Sequence, residues 1–169
     1  DVEKDVDIYV GTFSKSLGSI GGFVSTKKNI AEYIRHKASA FIFTAALPPA
    51  SVAGVLEGLD ILATDSERRK RLHENTTFIK RAFFELGIQV NNNHVPIVPI
   101  QIGDEALTLY MNRLLFDDAV FAGVAVSPVV PPLKAMIRTS YTSEHTKKDL
   151  DRILTSFEKN LKKIGILPQ

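Results

Sequence analysis

Cysteine is absent from this 169-residue chain, which excludes disulfides, thiol catalysis and thiolate metal sites and fits a reducing compartment. An excess of charge of one sign is missing too. With 21 Lys and Arg against 19 Asp and Glu, the net charge is only +2, and no basic tract dominates, so no nucleic-acid partner is expected. The densest basic run, Arg68-Arg69-Lys70-Arg71, lies beside Glu67 and Glu74 in a helical pattern, as a solvated helix face does. No apolar run approaches the roughly 20 residues of a membrane span, and the acidic opening Asp1-Val2-Glu3-Lys4-Asp5 is unlike a signal peptide. His36, His73, His94 and His145 are scattered without metal-ligand spacing, so no metal is expected. A cytoplasmic protein without a transmembrane segment is the expectation. The sequence also lacks an initiator methionine and runs at once into Asp7-Ile8-Tyr9-Val10, from which we expect a piece of a longer chain.

The content that remains is that of a globular protein, 44% hydrophobic and 24% charged, so disorder is not expected. Residues 7–14 read as a buried strand, and Gly22-Phe23-Val24-Ser25 as a second. The loop between them carries Gly18 and Gly21, which predicts a hairpin-like connection. Asn29 is placed to cap a short helix bearing Ile30, Tyr33 and Ile34. The pair Pro48-Pro49 stops regular structure and sets an extended approach to a helix over about 50–63, with Pro49 near its first turn and a stripe of Val52, Val55, Leu56, Leu59 and Leu62. A longer helix follows from Ser66, with Leu72, Thr76, Ile79, Phe83 and Leu86 on one face and Gly87 as its stop.

After Gly87 the pattern turns to short strands at Ile88–Val90, Ile97–Ile102, Val124–Val126 and Met136–Tyr141, with helices at roughly 104–118 and 147–163. Thr146 with Asp149 three residues on is close to a capping box. The fold class is therefore α/β, with residues 1–87 the end of a larger sheet plus linking helices and residues 88–169 a small α/β domain.

Chemistry concentrates at Thr12-Phe13-Ser14-Lys15. A lysine at the end of an apolar strand is poorly placed for full solvation, and partial desolvation favours the neutral, nucleophilic amine. Thr12 and Ser14 add hydroxyls that suit a phosphate. A cofactor bearing both an aldehyde and a phosphate would use both features, whereas a strand-end lysine that merely snorkels to water would use neither. Arg138, taken alone on an alternating strand, reads first as a surface residue paired locally. Thr44, before a proline turn, reads equally as a satisfier of backbone groups. The glycines do not have the spacing of a nucleotide loop, and Asp117-Asp118 reads as a helix end.

Gly11-Thr12-Phe13-Ser14-Lys15-Ser16-Leu17-Gly18-Ser19-Ile20-Gly21-Gly22-Phe23 closely resembles the cofactor-lysine segment of the α-oxoamine synthases, fold-type-I pyridoxal-phosphate enzymes. Phe41-Ile42-Phe43-Thr44-Ala45-Ala46-Leu47-Pro48-Pro49-Ala50 looks like a second family marker, and Arg138-Thr139-Ser140-Tyr141-Thr142 with His145 like a third. The three, in order, span nearly the whole chain. The resemblance implies the C-terminal part of a fold-type-I transferase: the end of the large-domain sheet and the small C-terminal domain. It implies that Lys15 holds pyridoxal 5'-phosphate as a Schiff base and that Thr12 hydrogen-bonds its phosphate, with the Ser14 hydroxyl a further cofactor-binding candidate by its chemistry. Thr44 would reach the cofactor phosphate of the neighbouring subunit in a homodimer, and Arg138 would pair with the carboxylate of an amino-acid substrate. The implied activity is acyl-CoA: amino-acid C-acyl transfer, with class I/II amino transfer or a non-catalytic folding or dimerisation module as alternatives. The family's ring-stacking histidine, its aspartate for the pyridine nitrogen and its glycine-rich phosphate turn belong upstream of residue 1, so the isolated chain is expected to be inactive. Val126 departs from the oxononanoate-synthase branch, which tends to carry arginine there, and the lysine segment leans toward the serine palmitoyltransferase branch.

Overall fold

The computed structural model describes residues 2–91 and 93–168; Asp1 of the acidic opening lies outside them. The chain divides into two compact units, Asp1–Ser66 and Glu67–Gln169.

The first unit opens on an antiparallel hairpin of β1 (Ile8–Thr12) and β2 (Gly22–Thr26), with Thr12 opposite Gly22 and Ile8 opposite Thr26. Glycine is required at that junction. A Cβ on Gly22 would lie 2.4 Å from the Gly11 carbonyl oxygen, a backbone collision that no rotamer relieves. The strand ends at Thr12 rather than Ser14, and the burial expected for residues 7–14 is not found: Val10 is 75% exposed, and Phe13 is the residue of this run that is buried. A two-stranded ribbon has no second layer to cover its faces. Helices α1 (Lys28–Lys37), α2 (Ser39–Ile42) and α3 (Pro49–Thr64) follow. Lys27, not Asn29, is the N-cap of α1, without a side-chain cap; Asn29 falls inside the first turn. Pro49 begins α3 as expected, because its missing N–H is one the helix start leaves unpaired anyway. Of the α3 stripe only Val55 is buried, while Val52, Leu56, Leu59 and Leu62 stay exposed.

The second unit starts within α4 (Ser66–Glu85) and continues through β3 (Ile97–Gly103), α5 (Glu105–Asp117), β4 (Gly123–Ala125), β5 (Ala135–Ser140) and α6 (Lys147–Lys163). Its antiparallel sheet has the order β3-β5-β4. Thr76, Ile79 and Phe83 of α4 are buried as the periodicity predicts, and Phe83 meets Phe157 of α6 edge-to-face at 5.2 Å. Val98, Ile100, Met111, Leu115, Ile137, Leu150 and Leu161 complete this core. Because α4 contributes to it, this compact unit includes α4. The expected capping box is present: Thr146 Oγ1 accepts from the Asp149 N–H, and the Asp149 carboxylate accepts from the Thr146 N–H. Ile88–Val90 is not a strand. Its first residue is consumed in ending α4, where the Ile88 N–H donates to the Phe83 carbonyl at 2.9 Å, and its side chain enters the core. The run Arg68–Arg71 is exposed, as a solvated helix face should be.

Candidate active site

Lys15 sits in the loop that closes the β1–β2 hairpin, and the loop is tied to itself. The Phe13 N–H donates to the Gly21 carbonyl at 3.0 Å, the Ser19 N–H to the Phe13 carbonyl at 2.9 Å, and the Gly18 N–H to the Lys15 carbonyl at 3.0 Å. The last bond closes a turn over residues 15–18, with Gly18 at φ +57°. Phe13 is buried and stacks on Phe23 at 5.9 Å. Past Thr12 the chain bends, and the bend brings Thr12 and Ser14 together. Their hydroxyls lie 2.8 Å apart. Thr12 Oγ1 also donates weakly to the Gly21 carbonyl at 3.3 Å and accepts the Ser14 N–H at 3.3 Å. Lys15 is exposed, not partly desolvated as its place after an apolar strand suggested, because the chain leaves the strand at Thr12 and the turn carries the lysine outward. Among the described residues its amine has no hydrogen bond or ion pair.

This arrangement fits a phosphate-bearing aldehyde. A free amine stands one residue from a paired set of hydroxyls, on a loop whose own hydrogen bonds preset its shape. Either oxygen can donate in the 2.8 Å contact, so the hydroxyl that donates there must rotate to serve a phosphate, and the 3.3 Å bond to Gly21 is the weak one to give up.

Thr44 is not in this cluster. It follows α2, is exposed, and its hydroxyl donates to the Ala40 carbonyl, so in this unit it does satisfy a backbone group, one of the two readings its sequence position left open.

Arg138 belongs to the second unit, on the central strand β5, with Pro99 of β3 and Gly123 of β4 directly opposite. The alternation along β5 buries Ile137 and Thr139 and leaves Arg138 exposed. Its strand neighbours have no side chain that can pair with it, and among the described residues the guanidinium makes no ion pair or hydrogen bond. The local-pairing reading therefore fails. A fork of donors held on a ladder has the geometry for a bidentate pair with a carboxylate.

Sequence reasoning missed Asn75 of α4. Its Nδ2 donates to the carbonyls of Thr142 at 3.0 Å and His145 at 2.9 Å, holding the turn after β5 against α4. His145 Nδ1 in turn accepts the Thr142 N–H at 2.9 Å. Nothing local marks an asparagine whose partners lie 67 and 70 residues away.

The family model described as aminotransferase class I and II matches residues 1–157. The chain belongs to that family. The class I/II chain is 40% identical over 162 residues to an 8-amino-7-oxononanoate synthase of Thermoanaerobacter pseudethanolicus, covering 96% of this chain and 41% of that protein. It is 40% identical over 168 residues to a serine palmitoyltransferase of Bacteriovorax stolpii, covering 99% of this chain and 40% of that one. A solved structure of SPT with a PLP internal aldimine superposes with a TM-score of 0.91 at 30% identity, over 98% of this chain and 42% of that chain. The fold is thus that of the corresponding part of a fold-type-I enzyme, and the chain spans about two fifths of the length of the relatives it matches. The two named relatives are equally similar, so the branch must be read from the chemistry of the site.

Proposed function

We propose that this class I/II chain is the C-terminal part of a pyridoxal-phosphate-dependent acyl-CoA: amino-acid C-acyltransferase of the α-oxoamine synthase type, working as a cytoplasmic homodimer with shared sites. Residues 1–87 are then the end of the cofactor-binding large domain with its linking helices, and residues 88–169 the small C-terminal domain. The observation that carries the reading is the Thr12–Ser14 hydroxyl pair at 2.8 Å beside the unpaired Lys15 amine. The similarity to acyl-transferring relatives supports the rest.

When bound, the cofactor supplies a pyridinium ring that stabilises negative charge at the substrate's α-carbon. Lys15 provides the amine that holds the cofactor aldehyde and, once displaced by the amino acid, moves the α-proton. Thr12 and Ser14 donate to the phosphate after one hydroxyl rotates. Arg138 takes the α-carboxylate in a bidentate pair, which orients the α-carbon bonds. In the balanced reaction that carbon gains the acyl group, CoA leaves as the free thiol, and in most members carbon dioxide leaves from the carboxylate. Thr44 serves the partner's phosphate, for which its hydroxyl must release the Ala40 carbonyl.

Amino transfer on the same scaffold is the second reading, favoured by the description of the family itself. The full-length protein separates the two. Thiol release that depends on both an amino acid and an acyl thioester supports acyl transfer. Keto-acid-dependent amino transfer without thiol release refutes it. Borohydride reduction of the loaded full-length protein should leave a pyridoxyl group on Lys15; a label on Lys27, Lys28 or Lys37 would remove the central assignment.

A further inference from the structure

The loop that carries Lys15 is fixed from outside as well as by its own bonds, and the fixing points lie on one short stretch of chain. Within the first unit, the Ser19 hydroxyl donates to the Ser51 carbonyl at 3.4 Å, and a Cβ on Gly21 would run into the Leu47 side chain. The third point is nearest the lysine. A Cβ on Gly58 would lie 3.0 Å from Leu17 Cδ2, closer than carbon atoms pack without displacement. Ser51 and Gly58 stand two turns apart on one face of α3, so the loop lies lengthwise against the helix. Leu17 and Ser19 are half-buried there, while Ser14, Lys15 and Ser16 stay exposed.

A glycine in the middle of a helix gives up stability relative to alanine. Gly54 and Gly58 are both such residues, but their surroundings differ. Among the described residues, a Cβ on Gly54 meets nothing within 4 Å, whereas the bare backbone at Gly58 lets a side chain of the lysine loop come down onto the helix. Leu17 is the third residue of the turn that Lys15 opens, closed by the bond from the Gly18 N–H to the Lys15 carbonyl. A displaced Leu17 therefore carries Lys15 with it through two peptide units. Thr12 is insulated from such a shift, because it pairs with Gly22 in the β1–β2 ladder.

We propose that Leu17 and Gly58 are positioning residues, whose contact sets where the Lys15 amine stands relative to the Thr12 and Ser14 hydroxyls, so that aldehyde and phosphate of one cofactor are met together. The assignment rests on the reading of Lys15 as the Schiff-base lysine and goes beyond it by naming what holds the amine in place. In the step concerned the amine adds to the aldehyde and water leaves. Gly58 touches neither group and acts through the loop alone.

The test uses the full-length protein stripped of cofactor, mixed with pyridoxal 5'-phosphate and quenched with borohydride at intervals, the pyridoxyl label on Lys15 being counted by mass spectrometry. Gly58→Ala pushes Leu17 by a few tenths of an ångström and should slow labelling roughly threefold; Gly58→Leu, which forbids the contact, should slow it about tenfold or more. Gly54→Ala brings the same gain in helix propensity with no contact to disturb, and should label at the parent's rate. Pyridoxine 5'-phosphate, which has the phosphate but no aldehyde, should bind all three variants as it binds the parent, since Thr12 stays in the ladder. The double variant Leu17→Val/Gly58→Ala moves one carbon across the contact at constant volume and should recover the lost rate. Parent-like labelling of Gly58→Leu overturns the proposal, as does equal slowing by Gly54→Ala and Gly58→Ala, a parallel loss of pyridoxine 5'-phosphate binding, or a double variant that fails to recover. A parent that takes no label on Lys15 refutes instead the reading of that lysine; a parent labelled on Lys15 with indifferent variants sinks the positioning claim alone.

Discussion

Three helices of the second unit end in the same hydrogen-bonded motif but with different residues in its left-handed position. At α4 the Gly87 N–H donates to Phe84 and the Ile88 N–H to Phe83; at α6 the Gly165 and Ile166 N–H groups donate to Lys162 and Leu161. At α5 the same pair of bonds runs from Ala119 to Phe116 and from Val120 to Leu115. The φ values are +83°, +77° and, for Ala119, +60°. A Cβ added at Gly87 or Gly165 meets nothing within 4 Å, so substitution there changes backbone energy and not packing. Forcing a non-glycine residue left-handed costs about 1–2 kcal/mol, and the lost freedom of the unfolded chain returns about 0.4–1 kcal/mol. The net is a destabilisation of about 1 kcal/mol for Gly87→Ala or Gly165→Ala, and a gain of similar size for Ala119→Gly. Residues 67–169 contain the whole principal core cluster and should fold alone. Urea unfolding of that segment, followed by far-ultraviolet circular dichroism, has an m near 1 kcal/mol/M at about this size, so each substitution should move the midpoint by roughly 1 M with m unchanged. Neutral Gly→Ala variants, or a destabilising Ala119→Gly, would refute the conformational argument.

Asp118, which caps α5, is held down to about 2 by hydrogen bonds from Lys159, then Ser156 and Asn160. Its stabilisation is therefore fully present above its unfolded value of 3.8 and lost as pH falls toward 2; Asp118→Asn should flatten the acid limb of a stability–pH curve, and an unchanged limb would show the network to be idle. Arg138→Lys in the full-length protein should raise the KM for the amino acid at least tenfold, because an ammonium cannot reproduce the bidentate pair. The KM for the acyl thioester should barely move, and equal losses for both substrates would place Arg138 elsewhere in the reaction. Mixing full-length Lys15→Ala with full-length Thr44→Glu should restore activity after subunit exchange, since one site of the mixed dimer then has both residues intact. No recovery, with exchange confirmed by mass spectrometry, would mean that Thr44 serves its own subunit.

Local chemistry was enough to determine several parts of this protein from its sequence. Thr146 with Asp149 starts α6, Pro49 starts α3 and Gly87 ends α4, because each of these events is decided within four or five residues of chain. The lysine loop was legible for the same reason: Thr12, Ser14, Lys15, Gly18 and Gly21 are near neighbours, and a hairpin brings them no further partners. Other features were decided only by the tertiary structure. Ile88–Val90 has strand-like residues but no ladder, since ending α4 and filling the core claim Ile88 first. The apolar stripe of α3 is real in sequence, yet burial depends on what lies opposite, and only Val55 is covered. Asn29 suits a cap, but the cap falls two residues earlier, at Lys27. Whether Arg138 is free or paired was undecidable from its own strand. Its opposite residues are Pro99 and Gly123, chosen by a register that joins segments far apart in the chain, and neither offers a charge. Pairing across a sheet is set by the sum of all the contacts in the ladder and core, and no short window of sequence contains that sum.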